Sequence, residues 1–247
     1  MIRTLTWVGA IGAASCGLIA PVSAQTNPAV SVEAMSQEVR RGLSWSEGRA
    51  AVAGAGDVSL VGIDASARIV TLRGSDRHGG ADGVADLSLG TGWGLGGFRL
   101  QATATGHLFS GARGKMDYVE LGGSASYAIG PLYASVGAIA APSQHAIGGS
   151  NIYTYASANA GIPGTPFTIL GEIGHSSGSV DDADRAARLR PGGDYTNWRL
   201  GLEHRVNHLT VGVDYIGTNV ARADAVGPFA DAGHAGDKIV GRVGLSF

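Results

Sequence analysis

The sequence predicts an all-β fold, namely a transmembrane antiparallel β-barrel of about twelve strands that follows a cleaved signal peptide. Three observations support this prediction. Apolar and polar residues alternate with a period of two over much of the chain, which is typical of strands. Glycine accounts for 41 of the 247 residues while only 15% are charged, a composition that fits neither collagen nor disorder. Short links alternate with longer ones, as in transmembrane barrels.

The first 24 residues read as a signal peptide. Arg3 supplies a basic start, an apolar run follows, and Val22-Ser23-Ala24 offers the small residues that signal peptidase reads. We therefore expect cleavage before Gln25, which leaves residues 25–247 as the barrel. An uncleaved N-terminal anchor and a lipoprotein site at Cys16 are the alternatives. Because Cys16 is the only cysteine, the mature chain would contain no disulfide.

Five segments show the strand alternation clearly. In the first of them, Phe98, Leu100 and Ala102 alternate with polar neighbours such as Arg99 and Gln101. The clear segments are 98–108, 118–129, 196–205, 209–215 and 239–247. Weaker strands are predicted at 30–43, 48–56, 59–72, 82–91, 131–141, 150–161 and 166–177, which gives twelve in all.

A transmembrane helix is the alternative for residues 121–171, which contain no Asp, Glu, Lys or Arg. Glycine, serine and proline interrupt this segment throughout, and its best-ordered part alternates. Since glycine and proline weaken helix interiors, strands are the better prediction.

The links between strands form two classes. Short links are predicted at 56–58, 92–97, 130–131, 163–165 and 206–208. Longer links are predicted at 73–81, 141–149, 177–194 and 221–237, and their Gly, Asp, Arg and Ser content is typical of solvated loops. The links at 45–47 and 111–116 lie at the same end as these longer links but are shorter than them. Short turns at one end and long loops at the other indicate a membrane barrel with an even strand count.

Three features favour a lipid-embedded barrel over a soluble one. Twelve strands exceed the roughly eight whose own side chains fill a small barrel. Charged residues recur on the polar face in the middle of strands, which places that face inward if the apolar face meets lipid. Aromatic residues flank the short turns, as a membrane interface selects. These aromatic residues are Trp93, Phe98, Tyr127, Phe167 and Phe247.

The polar face supplies twelve candidate lumen-lining residues. They are Glu33, Asp64, Arg68, Asp86, Arg99, Glu120, Glu172, Arg199, Glu203, Arg205, Asp214 and Arg242. Seven of them are acids and five are bases, so a pore with this lining is expected to favour cations weakly.

The last short turn also predicts a register. If it centres on Val206-Asn207, then Leu200 faces Val213 on the lipid side and Arg199 faces Asp214 inside. In this register apolar residues pair with each other on the outer face and opposite charges pair on the inner face. A slip of one residue would destroy both kinds of pairing.

Known catalytic motifs are absent from the sequence. There is no nucleophile elbow, no zinc-protease helix motif and no phosphate-binding loop, so no catalytic residue, metal site or cofactor is predicted. Glu172, His175 and Ser176 form the one local trio of interest. On a strand, Glu172 and Ser176 share a face while His175 points to the other, which separates the members of the trio.

Residues 36–53 resemble the opening hairpin of the TorF family of bacterial outer-membrane porins, in which a strand leads into an Arg-Gly-x-Ser-x-Ser turn. The matching positions are Ser36, Arg41, Gly42, Ser44, Ser46 and Ala51. Glu38 and Arg40 stand where the family usually has aromatic residues, and Ala50 stands where proline is common. The resemblance covers 18 residues and implies an outer-membrane location more firmly than an activity.

Together these features indicate a porin-like channel of the bacterial outer membrane for passive passage of small solutes or ions. A non-conducting barrel that serves as a structural anchor or adhesin is the alternative, and a barrel enzyme is a further one. Expected partners are outer-membrane lipids, lipopolysaccharide and the barrel-assembly machinery, which would recognise the C-terminal strand ending in Phe247. A net charge of −2 and a pI near 6.4 argue against a nucleic-acid partner, so none is expected.

Overall fold

A computed structural model describes residues 28–60 and 62–247. The predicted signal peptide, residues 1–24, lies outside the described residues. The secondary structure consists of β1 (Ala29–Met35), β2 (Val39–Arg40), β3 (Leu43–Ser44), β4 (Ala51–Leu60), β5 (Ile63–Ser75), β6 (Ala81–Leu95), β7 (Phe98–Ser110), β8 (Tyr118–Ile129), β9 (Leu132–Gln144), β10 (Gly149–Gly161), β11 (Phe167–Ser177), α1 (Ala183–Ala186), β12 (Tyr195–Val206), β13 (Leu209–Thr218) and β14 (Lys238–Ser246). Within the described ranges, no helix is long and apolar enough to cross a membrane.

Twelve of these strands close into one antiparallel barrel, which confirms the predicted fold class. From β4 to β14 each strand pairs with its neighbour in the chain, and β1 closes the cylinder between β14 and β4. At the closure Val32 lies opposite both Leu245 and Gly54. The short strands β2 and β3 form a separate two-stranded sheet.

The alternation of the sequence sorts side chains onto two faces of the barrel wall. Large apolar side chains point outward, for example Leu200, which is 61% exposed, and Ile239, which is 70% exposed. On the same strands or their neighbours, Glu203 and Asp214 are 4% and 2% exposed. The five aromatic residues beside the short turns are also outward and exposed. A barrel with its polar side inside is the arrangement that lipid requires.

The link between the first two strands of the barrel wall, at the long-loop end, is much longer than the predicted link at 45–47. Strand β1 ends at Met35 and β4 begins at Ala51, so the predicted strand 30–43 is wrong beyond Met35. Residues 36–50, which we call the inserted hairpin, contain β2 and β3. Arg41 and Gly42 have φ values of 50° and 78°, which reverse the chain between the two short strands.

Two turns lie elsewhere than the sequence predicts. The predicted link at 56–58 is wrong, because β4 continues to Leu60, which pairs with Ile63. The predicted pairing of Leu200 with Val213 is also wrong, because Leu200 lies opposite Tyr215 and Val206 lies opposite Leu209. The turn is therefore Asn207-His208, in which Asn207 adopts a φ of 51° that asparagine tolerates well. A shift of two residues keeps every side chain on its predicted face.

The outward position of Leu200 gives a test of the two faces. We expect Leu200→Arg to lower the free energy of unfolding by about 2–4 kcal/mol, because it places a charge in the hydrocarbon region. Urea titration in lipid vesicles measures the loss. Thr210→Arg, on the inner face of β13, is the control and is expected to cost much less. Equal costs at the two positions would mean that the face assignment is wrong.

Candidate functional site

The candidate site is the polar interior of the barrel. All twelve predicted lumen-lining residues are buried or half-buried and lie on the inner face of their strands. Nine of them form ion pairs. Among the other three, Asp64 accepts a hydrogen bond from Ser59 and Glu172 accepts one from Tyr153. Arg99 lies across Gly92, where a Cβ would be 2.6 Å from its Nη2.

A first cluster of charges covers the inner face of β12, β13 and β14. Arg242 is its centre, because its Nε donates to Asp214 at 3.0 Å and its Nη2 donates to Glu203 at 3.0 Å. Arg199 Nε donates to the other oxygen of Asp214 at 2.8 Å, and Arg205 donates to Glu203 at 2.9 Å. We call this group the Arg242 cluster. Within it every carboxylate has at least one arginine partner.

Glycines make room for the side chains of this cluster. Asp214 lies opposite Gly201 in the sheet, and its carboxylate occupies the space that a Cβ of residue 201 would need. Arg242 lies opposite Gly212, where a Cβ would be 2.8 Å from its Nε. The predicted pairing of Arg199 directly opposite Asp214 is wrong, since Ile216 faces Arg199, but the two side chains still meet diagonally.

A second cluster joins the inserted hairpin to the wall of the barrel. Around the interior its members follow the order Arg68, Glu38, Arg40, Asp86, His107, Glu120 and Arg41, so that each carboxylate lies between two basic side chains. We call this group the hairpin charge chain. Glu38, Arg40 and Arg41 come from the hairpin, whereas the other four come from β5, β6, β7 and β8.

The contacts of the hairpin charge chain are short, and two of its arginine–carboxylate pairs are bidentate. Arg68 donates to both oxygens of Glu38 at 2.8 Å. Arg40 donates to both oxygens of Asp86, at 3.1 and 2.7 Å, and to Glu38 at 2.8 Å. Arg41 donates to Glu120 at 2.6 Å. Bidentate arginine–carboxylate pairs fix orientation as well as distance, so the chain holds the hairpin in one position.

His107 links the two halves of the hairpin charge chain. Its Nδ1 lies 2.7 Å from Asp86 and its Nε2 lies 3.3 Å from Glu120. A neutral imidazole carries one N–H, so only the imidazolium form can donate to both carboxylates. The ring is buried and stacks on Tyr118 with a centroid distance of 4.4 Å.

The rest of the barrel wall holds the backbone of the hairpin turn. Tyr195 Oη donates to the carbonyl of Arg41 at 2.9 Å, and Lys238 Nζ donates to that of Gly42 at 2.6 Å. The side chain of Leu43 packs against Tyr195 and Ala235. The hairpin thus contacts opposite sides of the interior and spans it.

An apolar core fills the barrel at the long-loop end. It combines inward residues of the wall, such as Leu72 and Val84, with Trp45 of the hairpin and Ile147 and Leu189 of the loops. This core lies inside the barrel, enclosed by its wall. At this end the interior is packed rather than open.

Two arginines of the long loops are buried, contrary to the expectation of solvated loops. Arg77 donates to the carbonyls of Ser44, Arg188 and Asp231 at 3.1, 3.2 and 3.1 Å. Arg188 donates to the carbonyl of Met116 at 3.1 Å. Both are fully buried, so these loops form a packed cap over the barrel.

His78 belongs to the same cap and is neutral. Its ring lies between Trp45 and Phe109, with centroid distances of 4.3 and 4.8 Å. Burial, and after it the nearby Arg188 cation, hold the pKa of His78 well below its usual range. Its Nδ1 can therefore accept a hydrogen bond from Arg188, which lies 3.2 Å away.

Sequence reasoning missed five residues of the site: Glu38, Arg40, Arg41, Trp45 and His107. A signal for two of them was present, because Glu38 and Arg40 are the positions at which the hairpin departs from the TorF pattern. A charged pair in place of aromatic residues indicates that this part of the hairpin contacts polar or charged groups. The trio predicted to be separated is separated, since Glu172 and Ser176 face inward while His175 is exposed and contacts Thr196.

Known proteins resemble this chain at the level of family and of fold. A family described as "Bacterial protein of unknown function (Gcw_chp)" matches residues 20–242. No curated protein matches the chain. The chain is similar in structure to a protein described as "KdgM porin", with a TM-score of 0.55 and 6% identity, over 89% of this chain and 98% of that one.

A second solved structure leads to the same fold. The COG4313 outer membrane channel from Pseudomonas putida F1 superposes with a TM-score of 0.53 and 11% identity, over 92% of this chain and 97% of the other. At these identities the likeness concerns the fold. A bacterial chain with an outer-membrane porin fold and an apolar outer face is a barrel of the bacterial outer membrane.

The position of His107 between two carboxylates gives a stability prediction. His107→Gln can donate to one carboxylate and removes the hydrogen bond of residue 107 to the other, so we expect a loss of about 1–3 kcal/mol in the free energy of unfolding. Reversible urea unfolding in vesicles measures it. His175→Gln makes the same exchange on the outer face and is expected to cost almost nothing. A cost at residue 107 no larger than that of the control would contradict the bridging role.

Proposed function

Since the chain belongs to the Gcw_chp family of bacterial proteins and has the fold of outer-membrane porins, we propose that it is a porin-like channel. It would let small hydrophilic solutes or ions pass the outer membrane passively. The twelve inward charged residues from Glu33 to Arg242 would line the path. No catalytic role is part of this proposal, because the one candidate trio is divided between the two faces of the wall.

One observation carries the proposal: twelve charged residues of both signs face the interior of the barrel. A wall of paired strands is already stabilised by its backbone hydrogen bonds. Burying ion pairs in such a wall brings little net stability, since desolvation offsets most of the attraction. Inward charges of both signs are instead what a path for hydrated solutes requires.

The likeness of residues 36–53 to the TorF porins supports the same proposal at the level of one hairpin. We further propose that the C-terminal strand is the segment recognised by the barrel-assembly machinery. Phe247 ends this strand on the outer side, is 71% exposed, and stacks on His208 with a centroid distance of 5.8 Å. Outer-membrane lipids and lipopolysaccharide would surround the exposed apolar side chains on the outer face of the barrel.

A second candidate is a non-conducting barrel that acts as an anchor or adhesin. The observation in its favour is the apolar core that closes the long-loop end of the interior. Current recording in a planar bilayer with the refolded mature chain separates the two. Stepwise channel currents would support the channel, and a silent bilayer containing folded barrels would favour the anchor.

The ion preference of the channel depends on Asp214, which pairs with both Arg199 and Arg242. Asp214→Ala removes one acid and leaves these arginines less compensated, so we expect ion preference to shift toward anions. The reversal potential across a salt gradient measures this shift. Asp224→Ala, which removes an acid from an exposed outer loop, is the control. An unchanged reversal potential for Asp214→Ala in a conducting protein would contradict the proposed lining.

A further inference from the structure

The inserted hairpin occupies the space through which a solute would pass. Twelve strands enclose more volume than the roughly eight of a small filled barrel and less than the roughly sixteen to eighteen of an open aqueous porin. The hairpin fills this difference, because its charges meet β5, β6 and β8 on one side while its turn meets β12 and β14 on the other.

The hairpin is attached to the wall by side chains rather than by the sheet. Within residues 28–60 and 62–247, β2 and β3 pair with each other and with no strand of the barrel. All twelve wall strands complete their ladder without them. Apart from the hydrogen bond from the Ser36 N–H to the Gly241 carbonyl at the start of the hairpin, removing the hairpin from the interior therefore breaks no backbone pairing of the barrel.

The ends of the hairpin lie side by side at the rim. Met35 and Ala51, which flank it, face each other on neighbouring strands β1 and β4. A segment whose two ends are adjacent can move as a unit about that point while both strands stay in the wall. Its contacts with the wall include charged groups and turn carbonyls, which water or solute can replace, together with the apolar packing of Leu43 and Trp45.

The charges change when the hairpin leaves. The wall contributes Asp86 and Glu120 to the hairpin charge chain, and both lose their arginine partners. From that chain the hairpin takes away two arginines and one glutamate, which is one net positive charge. The emptied interior is then lined by the inward charges of the wall alone, among them the seven acids and five bases named above.

We infer that residues 36–50 form a gate that closes the channel in this structure and opens it by leaving the interior, with the hairpin charge chain as its latch. This inference rests on the proposed channel function. The open channel prefers cations more strongly than the closed or partly open one, because the emptied interior is more negative by one charge.

The test compares two latch variants with a matched control. Arg41→Glu places a carboxylate against Glu120, and Arg68→Glu places one against Glu38, so each replaces an attraction in the chain by a repulsion. Arg113→Glu makes the same charge change against Asp76 in the exposed loops, outside both the channel lining and the hairpin. A further variant replaces residues 37–49 with a short Gly-Ser linker, which removes the gate altogether.

Two measurements are made on each variant. Planar-bilayer recording gives open probability, conductance and reversal potential. Labelling of a Ser44→Cys reporter with a charged maleimide gives the position of the hairpin, because Ser44 is fully buried in the closed form and Cys16, the only natural cysteine, lies within the predicted signal peptide. Heat-modifiable mobility on gels verifies that each barrel is folded.

We expect both latch variants and the linker variant to conduct at least several-fold more than wild type, with stronger cation preference in the linker variant. In the latch variants the reporter should label faster, while Arg113→Glu resembles wild type. Equal, non-zero conductance in wild type and linker variant would overturn the gate and leave the channel intact. Silence of the folded linker variant would overturn the channel function and the gate with it.

Discussion

The circumference of the barrel is the constraint on which the rest of the structure depends. A sheet in lipid has to close, because an open edge would leave backbone groups without partners in hydrocarbon. Closing twelve strands leaves an interior that the inward side chains of the wall do not fill by themselves. Leu43 and Trp45 show how this protein uses the remaining volume, since both reach buried positions inside the wall although they belong to a link between strands.

Charge compensation decides how that volume is filled. A carboxylate inside a barrel is costly unless cations or hydrogen-bond donors surround it. Asp214 meets this requirement within the wall, through Arg199 and Arg242. Asp86 and Glu120 do so with arginines of the inserted hairpin. The wall and the hairpin are therefore complementary in charge, because carboxylates of the wall are compensated by arginines of the hairpin.

Much of the fold could be predicted from the sequence, because a period of two depends on local pattern alone. The strand count, the two faces and the inward charges follow from that pattern, as Leu200 and Arg199 illustrate. The hairpin could not be predicted in this way, since strands of two residues have no measurable period. The register of β12 and β13 depended on whether Val206 or His208 belongs to the turn, and the pairing of Val206 with Leu209 places His208 there. The burial of Arg77 was hidden too, because its partners are backbone carbonyls, which no side-chain pattern reveals.

The position of the inserted hairpin within the barrel is tested most directly by nuclear Overhauser effects from Leu43. With Leu43 methyl groups labelled in the refolded mature chain, we expect cross-peaks to the Tyr195 ring and to the Ala235 methyl group, which pack against Leu43 although they lie far away in sequence. Cross-peaks confined to residues 36–50 and to solvent would contradict a hairpin that lies inside the wall.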